Sequence, residues 1–255
     1  MQLRRRAHLA SQELRLANGS VSRHLENRFL ATLSQETLAL LEPDLTEISG
    51  EQGSVFFEPG GSIDRIYFPQ SGMISLLVVS REGEMVEVST VGREGAVGLH
   101  RGLGRRRSFT RATMQIAGRF STVAAHVFER IALNSPLVRE MIARYTEGSW
   151  AEAQQLAACN AVHDASSRLC RWLLQCADHI ERLQIPLTQE FLAQMLGVRR
   201  TTVTLLAQEL QKRGAVKIGR GRVAILDRKL LEDGACECYE VIQHEKLALK
   251  IGVNW

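Results

Sequence analysis

Residues 187–211, LTQEFLAQMLGVRRTTVTLLAQELQ, constrain the fold more than any other stretch of this sequence. Thr188 is placed to cap a short helix, because its hydroxyl can accept hydrogen bonds from free backbone N–H groups of the first turn. Gly197 can adopt the left-handed conformation that a sharp turn between helices requires. Ala193 is small where two helices would cross, and Val203 begins the apolar stripe of a second helix. The stretch predicts a helix-turn-helix, whose second helix enters a DNA major groove. An ordinary helical hairpin is the alternative.

The exposed face of the predicted second helix is polar at its N-terminal end. Its side chains are Arg199, Arg200, Thr201, Thr202 and Thr204. Arginine can bond guanine bidentately, threonine can contact a base edge or a thymine methyl, and N–H groups at a helix start can hold a phosphate. A solvated polar face is the alternative. Charge favours DNA, because residues 181–228 hold nine Lys/Arg and four Asp/Glu, a net of +5, whereas the whole chain carries +4.

Two short strands are predicted after the second helix, at residues 215–218 and 222–225. The glycine-rich turn between them favours a β-hairpin, which would form a wing beside the helix-turn-helix. Arg220 and Arg222 are placed on it to contact phosphates. Residues 184–186 are expected to be the hinge that leads into this domain. A short helix is expected from Arg228.

Strand periodicity dominates from residue 48 to about residue 123. Short apolar runs alternate with glycine-containing turns at intervals of about ten residues. Residues 85–88 and 113–116 show the alternation most clearly. This pattern predicts an antiparallel sandwich or barrel. Short helices are expected before it, within residues 26–48, one starting at Ser34 and stopping at Pro43.

Helical periodicity returns after Ser135-Pro136, where the serine can cap and the proline suits the first helical position. The pattern predicts one helix of about 24 residues, roughly 36 Å long. Its apolar stripe comprises Val138, Ile142, Tyr145, Ser149, Ala153, Leu156 and Asn160. Pairing of this stripe with a second copy would give a twofold dimer. Packing against the chain's own β domain is the alternative. A second helix is expected at about residues 161–179.

The composition is typical of a globular protein, since 45% of the 255 residues are hydrophobic and 24% are charged. No apolar run approaches the roughly 18–20 residues that a membrane helix needs. The first 20 residues, MQLRRRAHLASQELRLANGS, are basic but lack the apolar core of a signal peptide. We therefore expect a flexible basic arm at the N-terminus, no membrane partner and a cytoplasmic location.

The five cysteines do not suggest a disulfide framework, since their number is odd. No Cys-x-x-Cys pair and no Cys/His set has zinc spacing, so no metal site is expected from motifs. Cys236 and Cys238 form a Cys-x-Cys pair that could bind a soft metal or respond to oxidants. The alternative is that both are small apolar side chains.

The order of these elements resembles the Crp/Fnr superfamily of bacterial transcription regulators. The resemblance covers about residues 26–240 and is most specific in four motifs: FFEPGGSIDRIYFPQSGMISL, VGREGAVGL, SSRLCRWLL and LTQEFLAQMLGVRRTTVTLL. It implies an α+β chain with an N-terminal β jelly roll of the cyclic-nucleotide-binding type, a long dimerisation helix and a C-terminal winged helix-turn-helix. Each recognition helix of the homodimer would read half of a near-palindrome.

The resemblance also assigns roles and boundaries. Thr188 and Gln189 would contact the DNA backbone, while Arg199, Arg200, Thr201 and Thr204 would face bases. RNA polymerase is the further partner expected of an activator. The expected division of the chain is an arm at 1–25, the jelly roll at 26–134, the dimerisation helix with the helix after it at 135–182, the winged domain at 183–240 and a tail at 241–255.

The effector site departs from the cyclic-AMP-binding members of that superfamily. They carry Gly-Glu in the phosphate-binding turn and an Arg-Ser or Arg-Ala pair after it, with the glutamate on the ribose and the arginine on the phosphate. Here the turn holds Gly98 and Leu99, and a leucine accepts no hydrogen bond. Arg107 and Ser108 are the candidates for the later pair. Cyclic nucleotide is therefore not the expected effector, and no cofactor follows from the sequence.

Two other sensor types of the superfamily also fit poorly. The iron–sulfur members carry an N-terminal cysteine cluster, whereas this chain has no cysteine before Cys159. Haem needs an axial ligand, and His24, His100 and His126 are isolated histidines of the kind that are usually structural.

A homodimeric, sequence-specific DNA-binding regulator is the function that the sequence favours. The sensory domain would set the relative angle of the recognition helices. The alternative is a small-ligand or redox sensor that acts mainly through protein partners. No enzyme is expected, because the sequence holds no Walker loop, GxSxG or HExxH motif.

Overall fold

The computed structural model describes residues 23–104 and 107–251. Residues 1–22 of the predicted arm lie outside this range. The α+β class is confirmed, with a β domain first and a helix-turn-helix last. Among the described helices, none combines the length and the apolar character needed to cross a bilayer. The α-helices are α1 (Arg28–Ala31), α2 (Gln35–Leu41), α3 (Ala125–Asn134), α4 (Pro136–Val162), α5 (Ala165–Ile180), α6 (Gln189–Leu196), α7 (Arg200–Lys212), α8 (Arg228–Gly234) and α9 (Cys238–Ile251).

The N-terminal domain is a sandwich of two antiparallel sheets. One sheet has the order β1-β7-β3 and the other β2-β6-β4-β5. Apolar side chains alternate toward the space between them, where Phe56, Tyr67 and Phe120 form a group of aromatic contacts. Its strands are β1 (Thr46–Gly50), β2 (Val55–Phe57), β3 (Arg65–Pro69), β4 (Met73–Val79), β5 (Met85–Val91), β6 (Arg111–Ile116) and β7 (Gly118–Ala124).

The short helices before the sandwich close one side of it. Ser34 caps α2, as the sequence predicts, by accepting a hydrogen bond from the Thr37 N–H. Asn27 caps α1 and donates from its buried amide to the Pro69 and Gly95 carbonyls. His24, the last part of the predicted arm, bonds Ser121 on β7 at 2.7 Å, so this histidine has a structural role.

The long helix α4 runs for 27 residues and begins at the predicted Ser135-Pro136 cap. Its orientation differs from the expectation, because Val138 and Ile142 are buried in the core of the chain's own N-terminal domain. The predicted dimer stripe is therefore wrong in its N-terminal half. An apolar stripe shows which helix face is buried but not what covers it.

Helix α5 connects the two halves of the molecule. Asp164 caps it, and Trp172 donates a 2.7 Å hydrogen bond to Glu87 on β5. His179 lies 2.9 Å from the Thr90 hydroxyl and 3.0 Å from Glu94. One continuous apolar core extends from β4 and β6 through α5 into the helix-turn-helix. The helix therefore packs firmly on both domains.

The C-terminal domain holds a three-stranded wing of order β8-β10-β9. Strands β9 (Val216–Gly219) and β10 (Arg222–Ile225) form the predicted hairpin. The third strand, β8 (Gln184–Ile185), pairs with β10 where the sequence predicts a hinge. That prediction is wrong, because residues 184–185 supply an extra strand to the wing. Beyond it, α9 crosses the predicted boundary between domain and tail and packs against α4.

Candidate nucleic-acid interface and effector cavity

The helix-turn-helix forms as the sequence predicts. Thr188 caps α6 through a hydrogen bond from the Phe191 N–H. Gly197 ends that helix with a φ of 62° and a ψ of 36°, in the left-handed region. Ala193 is buried at the crossing, and the turn is closed by a 3.1 Å bond from the Val198 N–H to the Ala193 carbonyl. Helix α7 is thereby fixed by backbone geometry as well as by its apolar face.

The N-terminal end of α7 is exposed and cationic. Arg199, Arg200 and Thr201 are all exposed there. Arg199 is the N-cap residue but makes no capping hydrogen bond with its side chain. The first-turn N–H groups are thus available to an anion. Arg200 lies 3.7 Å from Glu190, a pair so exposed that it contributes little and leaves the guanidinium able to rearrange.

Thr204 and Gln189 contact each other across the two helices. The Thr204 hydroxyl lies 3.0 Å from the Gln189 side-chain oxygen and also 3.0 Å from the Arg200 carbonyl. The same contact orients the Gln189 side-chain amide, which keeps its two N–H donors.

Leu205 is a surface residue that the sequence pattern did not single out. Its side chain is 67% exposed on α7, one helical turn after Thr201 and next to Thr204. The signal was present, because Leu205 falls outside the buried stripe that Val203 and Leu210 define. An exposed leucine on this face can contact a thymine methyl.

A cleft of about 240 Å³ lies between the wing and the helix-turn-helix. The structure brings five of the eight predicted DNA-binding residues to it. These are Thr188, Gln189, Arg200, Arg220 and Arg222. The other three, Arg199, Thr201 and Thr204, lie outside its lining. Helix start and wing therefore present hydrogen-bond donors and positive charge to one groove.

The four predicted effector residues are not assembled into one site. Leu99 is 1% exposed and packs in the core beneath the sandwich, and Arg107 donates to the Gly60 carbonyl at 2.8 Å on the surface. Gly98, with a φ of 93°, and Ser108 do line a cavity. The Ser108 hydroxyl donates to the Thr110 carbonyl at 2.7 Å.

This cavity measures about 390 Å³ and lies between the sandwich and the middle of α4. That volume is in the range of small-molecule sites. No lysine or arginine occurs among the described residues that line it, so these residues offer no cation to a phosphate. Its apolar lining comprises Phe57, Ile63, Leu76, Val88, Val91, Ala96, Val97, Phe109, Trp150 and Ala153. His100 and a few hydroxyl groups lie among them.

The isolated histidines lie in three different environments. His24 is bonded to Ser121, His100 lies at the cavity wall, and His126 is exposed on α3. Burial lowers the pKa of His24 and so favours its neutral form. The structure does not bring these histidines together.

Cysteines from two distant segments do meet. Cys159 and His163 at the end of α4 contact Cys236 and Cys238, although 77 residues separate Cys159 from Cys236. The sequence shows no zinc-type set here because motif spacing detects only ligands that are close in the chain. These four residues are called the cysteine–histidine cluster below.

Residues 167–233 match the family model of the Crp-like helix-turn-helix domain. This match covers α6, α7, the wing and most of α5, which are the elements that form the cleft. This part of the chain is therefore a Crp-like helix-turn-helix domain.

Similar proteins extend the likeness to the N-terminal half of the chain. The transcriptional regulator SdrP of Thermus thermophilus is 27% identical over 196 residues, which are 73% of this chain and 92% of that protein. The structure of FixK2 from Bradyrhizobium japonicum matches with a TM-score of 0.65 at 16% identity, over 75% of this chain and 98% of that chain. The structure of a Crp/Fnr-family regulator from Thermus thermophilus matches with a TM-score of 0.60 at 25% identity, over 74% of this chain and 98% of that chain.

Proposed function

We propose that two copies of this Crp/Fnr-type regulator bind a near-palindromic operator, each placing α7 in the major groove. The observation that carries the proposal is the cleft where Arg200, Arg220 and Arg222 converge beside the exposed start of α7. Helix-start N–H groups and wing arginines would hold phosphates on either side of the groove, while α7 reads the bases between them.

Individual roles follow from the contacts. Arg199, Arg200, Thr201 and Thr204 face the base edges, and Leu205 adds an apolar contact. Thr188 and Gln189 lie at the start of α6, where they would position the backbone. Arg220 and Arg222 project from the wing hairpin and supply sequence-independent attraction.

The outward face of α4 supports the dimer. Ala143, Trp150 and Ala157 are exposed at intervals of seven residues, with Glu147 and Gln154 between them. Residues seven apart lie on the same face of a helix, so these three side chains would meet a second copy together. Trp150 is 67% exposed, which is unusual for so large an apolar side chain and is explained if a second copy covers it.

The sensory cavity is proposed to accept an apolar small molecule in place of a cyclic nucleotide. Its described lining is largely apolar, and Leu99 and Arg107 lie outside it. Because Trp150 and Ala153 of α4 form part of the wall, a ligand there would act directly on the dimer helix. We place the protein in the cytoplasm, with RNA polymerase as partner if it activates.

The test of DNA binding is selection of bound sequences from a random duplex library, followed by titration of the selected site. We expect a near-palindrome and an affinity that falls steeply with log salt. Arg200→Ala should weaken specific binding by about 1–3 kcal/mol and relax one base position. Arg130→Ala, which removes an arginine on α3 far from the cleft, should leave binding unchanged. No sequence preference and no salt dependence would instead favour a sensor that acts through protein partners.

The test of the cavity compares two ligands. Cyclic AMP should change neither operator affinity nor thermal stability, whereas an apolar fluorescent probe should bind. Ala153→Trp fills the cavity from α4 and should reduce probe binding. Tight cyclic AMP binding that couples to operator affinity would overturn the apolar assignment.

A further inference from the structure

The cysteine–histidine cluster lies where the end of α4 meets the start of α9. Cys159 is in the last turn of α4, and His163 is its C-cap residue. Cys238 is the first residue of α9, and Cys236 precedes it. The four ligand atoms all lie within 4.8 Å of one another. Two separate segments thus present three sulfurs and one imidazole nitrogen to a common point.

Two of the distances between ligand atoms fit the edges of a tetrahedron around one ion. Cys159 Sγ lies 3.5 Å from Cys236 Sγ, and Cys238 Sγ lies 3.5 Å from His163 Nδ1. Zinc bonds of about 2.3 Å to sulfur and about 2.0–2.1 Å to nitrogen set tetrahedral ligands roughly 3.4–3.8 Å apart. A disulfide needs sulfurs about 2.05 Å apart, and these cysteines are free thiols.

We propose that the cysteine–histidine cluster is a tetrahedral Zn²⁺ site. Three thiolates and one imidazole form a donor set typical of closed, structural zinc sites. A multi-iron cluster distributes its ligands over several metal atoms, whereas a set confined within 4.8 Å suits a single ion. The proposal concerns metal binding and does not depend on the proposed operator binding.

Neighbouring groups orient the ligands. Glu237 Oε1 lies 3.1 Å from His163 Nε2, which places the imidazole proton on Nε2 and leaves the Nδ1 lone pair facing the sulfurs. This carboxylate–histidine arrangement is the usual support of a zinc-bound imidazole. Gln155 donates a 3.0 Å hydrogen bond to Cys238 Sγ. The four ligands and the two side chains that hydrogen-bond to them together have the arrangement of a metal-binding site.

The surroundings also leave a route by which an ion can enter. The three cysteines are buried, while the His163 side chain is 20% exposed and forms the edge at which an ion can enter. Zinc here would fasten α9, and with it the C-terminal domain, to the long helix.

The experiment measures metal in the full-length protein purified without chelators from zinc-supplemented medium. We expect about one zinc per chain, and cobalt exchange should give the visible bands and thiolate charge-transfer band of tetrahedral Co²⁺. Cys238→Ala should lose both signals. Cys176→Ala, at a buried cysteine outside the cluster, should keep them.

A variant outside the ligand set separates positioning from packing. Glu237→Gln keeps all four ligands and should weaken zinc binding by about 10–100-fold in competition with a chromophoric chelator. Unchanged affinity would overturn the role given to Glu237. Wild-type protein that binds no zinc, holds iron or copper instead, or contains a Cys159–Cys236 disulfide would overturn the site itself. Wild-type data suffice for that decision even where a cysteine variant fails to fold.

Discussion

The DNA-facing domain and the sensory domain differ in how closely they agree with the residues expected from family resemblance. In the DNA-facing domain, the cap at Thr188, the turn at Gly197 and the wing arginines all lie where local sequence places them. In the sensory domain, Leu99 and Arg107 lie outside the cavity that they were expected to form. The difference shows that the reading surface is specified locally and the sensory cavity by long-range packing.

The contact between the two domains gives the largest expected effect. Burial raises the pKa of Glu87 to about 7 from 4.5, although hydrogen bonds from Ser75 and Trp172 oppose the shift. Between these values the folded chain holds a proton that the unfolded chain has lost, so stability falls as pH rises from about 4.5 to about 7. The shift corresponds to about 3 kcal/mol.

Glu87→Gln removes this ionisation, so the free energy of unfolding of the variant, relative to that of the wild type, should rise by up to about 3 kcal/mol between about pH 5 and about pH 8. Urea unfolding at both pH values measures the change. Glu82→Gln, in the exposed turn between β4 and β5, is the control and should follow the wild type. Parallel pH profiles of wild type and Glu87→Gln would show that the domain contact carries no buried charge.

The dimer face on α4 should show the next largest effect. Trp150→Glu places a charge in the proposed interface and should weaken dimerisation by about 2 kcal/mol, roughly thirtyfold. Sedimentation equilibrium measures the dissociation constant. Leu137→Glu, at an exposed leucine on another side of α4, should leave it unchanged. An equal effect of both changes would mean that Trp150 does not lie at the interface.

Within the DNA-facing domain, Thr204→Val should have a moderate effect. The variant keeps the shape of threonine but loses the hydroxyl that bonds Gln189. Operator binding should weaken by about 1 kcal/mol, because the Gln189 amide is no longer held. Fluorescence anisotropy measures this loss, with Thr202→Val as the matched change. If Thr204→Val binds the operator with wild-type affinity, the Thr204 hydroxyl does not position Gln189 for DNA binding.

The wing should show the smallest effect, and one without sequence preference. Arg222→Ala removes one phosphate contact, so the slope of log affinity against log salt should become shallower by about 1. Specific and random duplexes should lose affinity equally. Lys229→Ala, at an exposed lysine on α8, should keep the wild-type slope. If Arg222→Ala lowered the affinity for the operator but not for random duplexes, Arg222 would be assigned to base contact and not to phosphate contact.

Sequence reasoning succeeded where the relevant neighbours are close in the chain. The helix-turn-helix and the hairpin of the wing depend on caps, glycines and a helical stripe within a few dozen residues. The sandwich was also predictable, because alternation and turns repeat at short range. The strand at residues 184–185 was missed, since so short a strand is defined only by its partner β10.

The features that the sequence did not predict are contacts between segments that are far apart in the chain. The periodicity of α4 identified Val138 and Ile142 as buried but could not show that the sandwich covers them. The sequence placed Leu99 in the phosphate-binding turn but did not show that its side chain packs in the core. The cysteine–histidine cluster joins segments too far apart for any spacing rule. In each case the sequence showed an informative residue type but did not show which residues lie next to it in space.

The approach of Cys159 to Cys236 has a topological consequence. The two sulfurs lie 3.5 Å apart across 77 residues, so the chain enters and leaves its DNA-facing domain at nearly the same point. Because two chain segments connect this domain to the rest of the molecule, the domain cannot rotate about a single linker. A tilt at the end of α4 would instead rotate the whole domain. A cross-link there would close a loop of that length and, by restricting the unfolded chain, raise its free energy by about 4–5 kcal/mol. The end of α4 and the start of α9 thus connect this domain to the rest of the chain at one place.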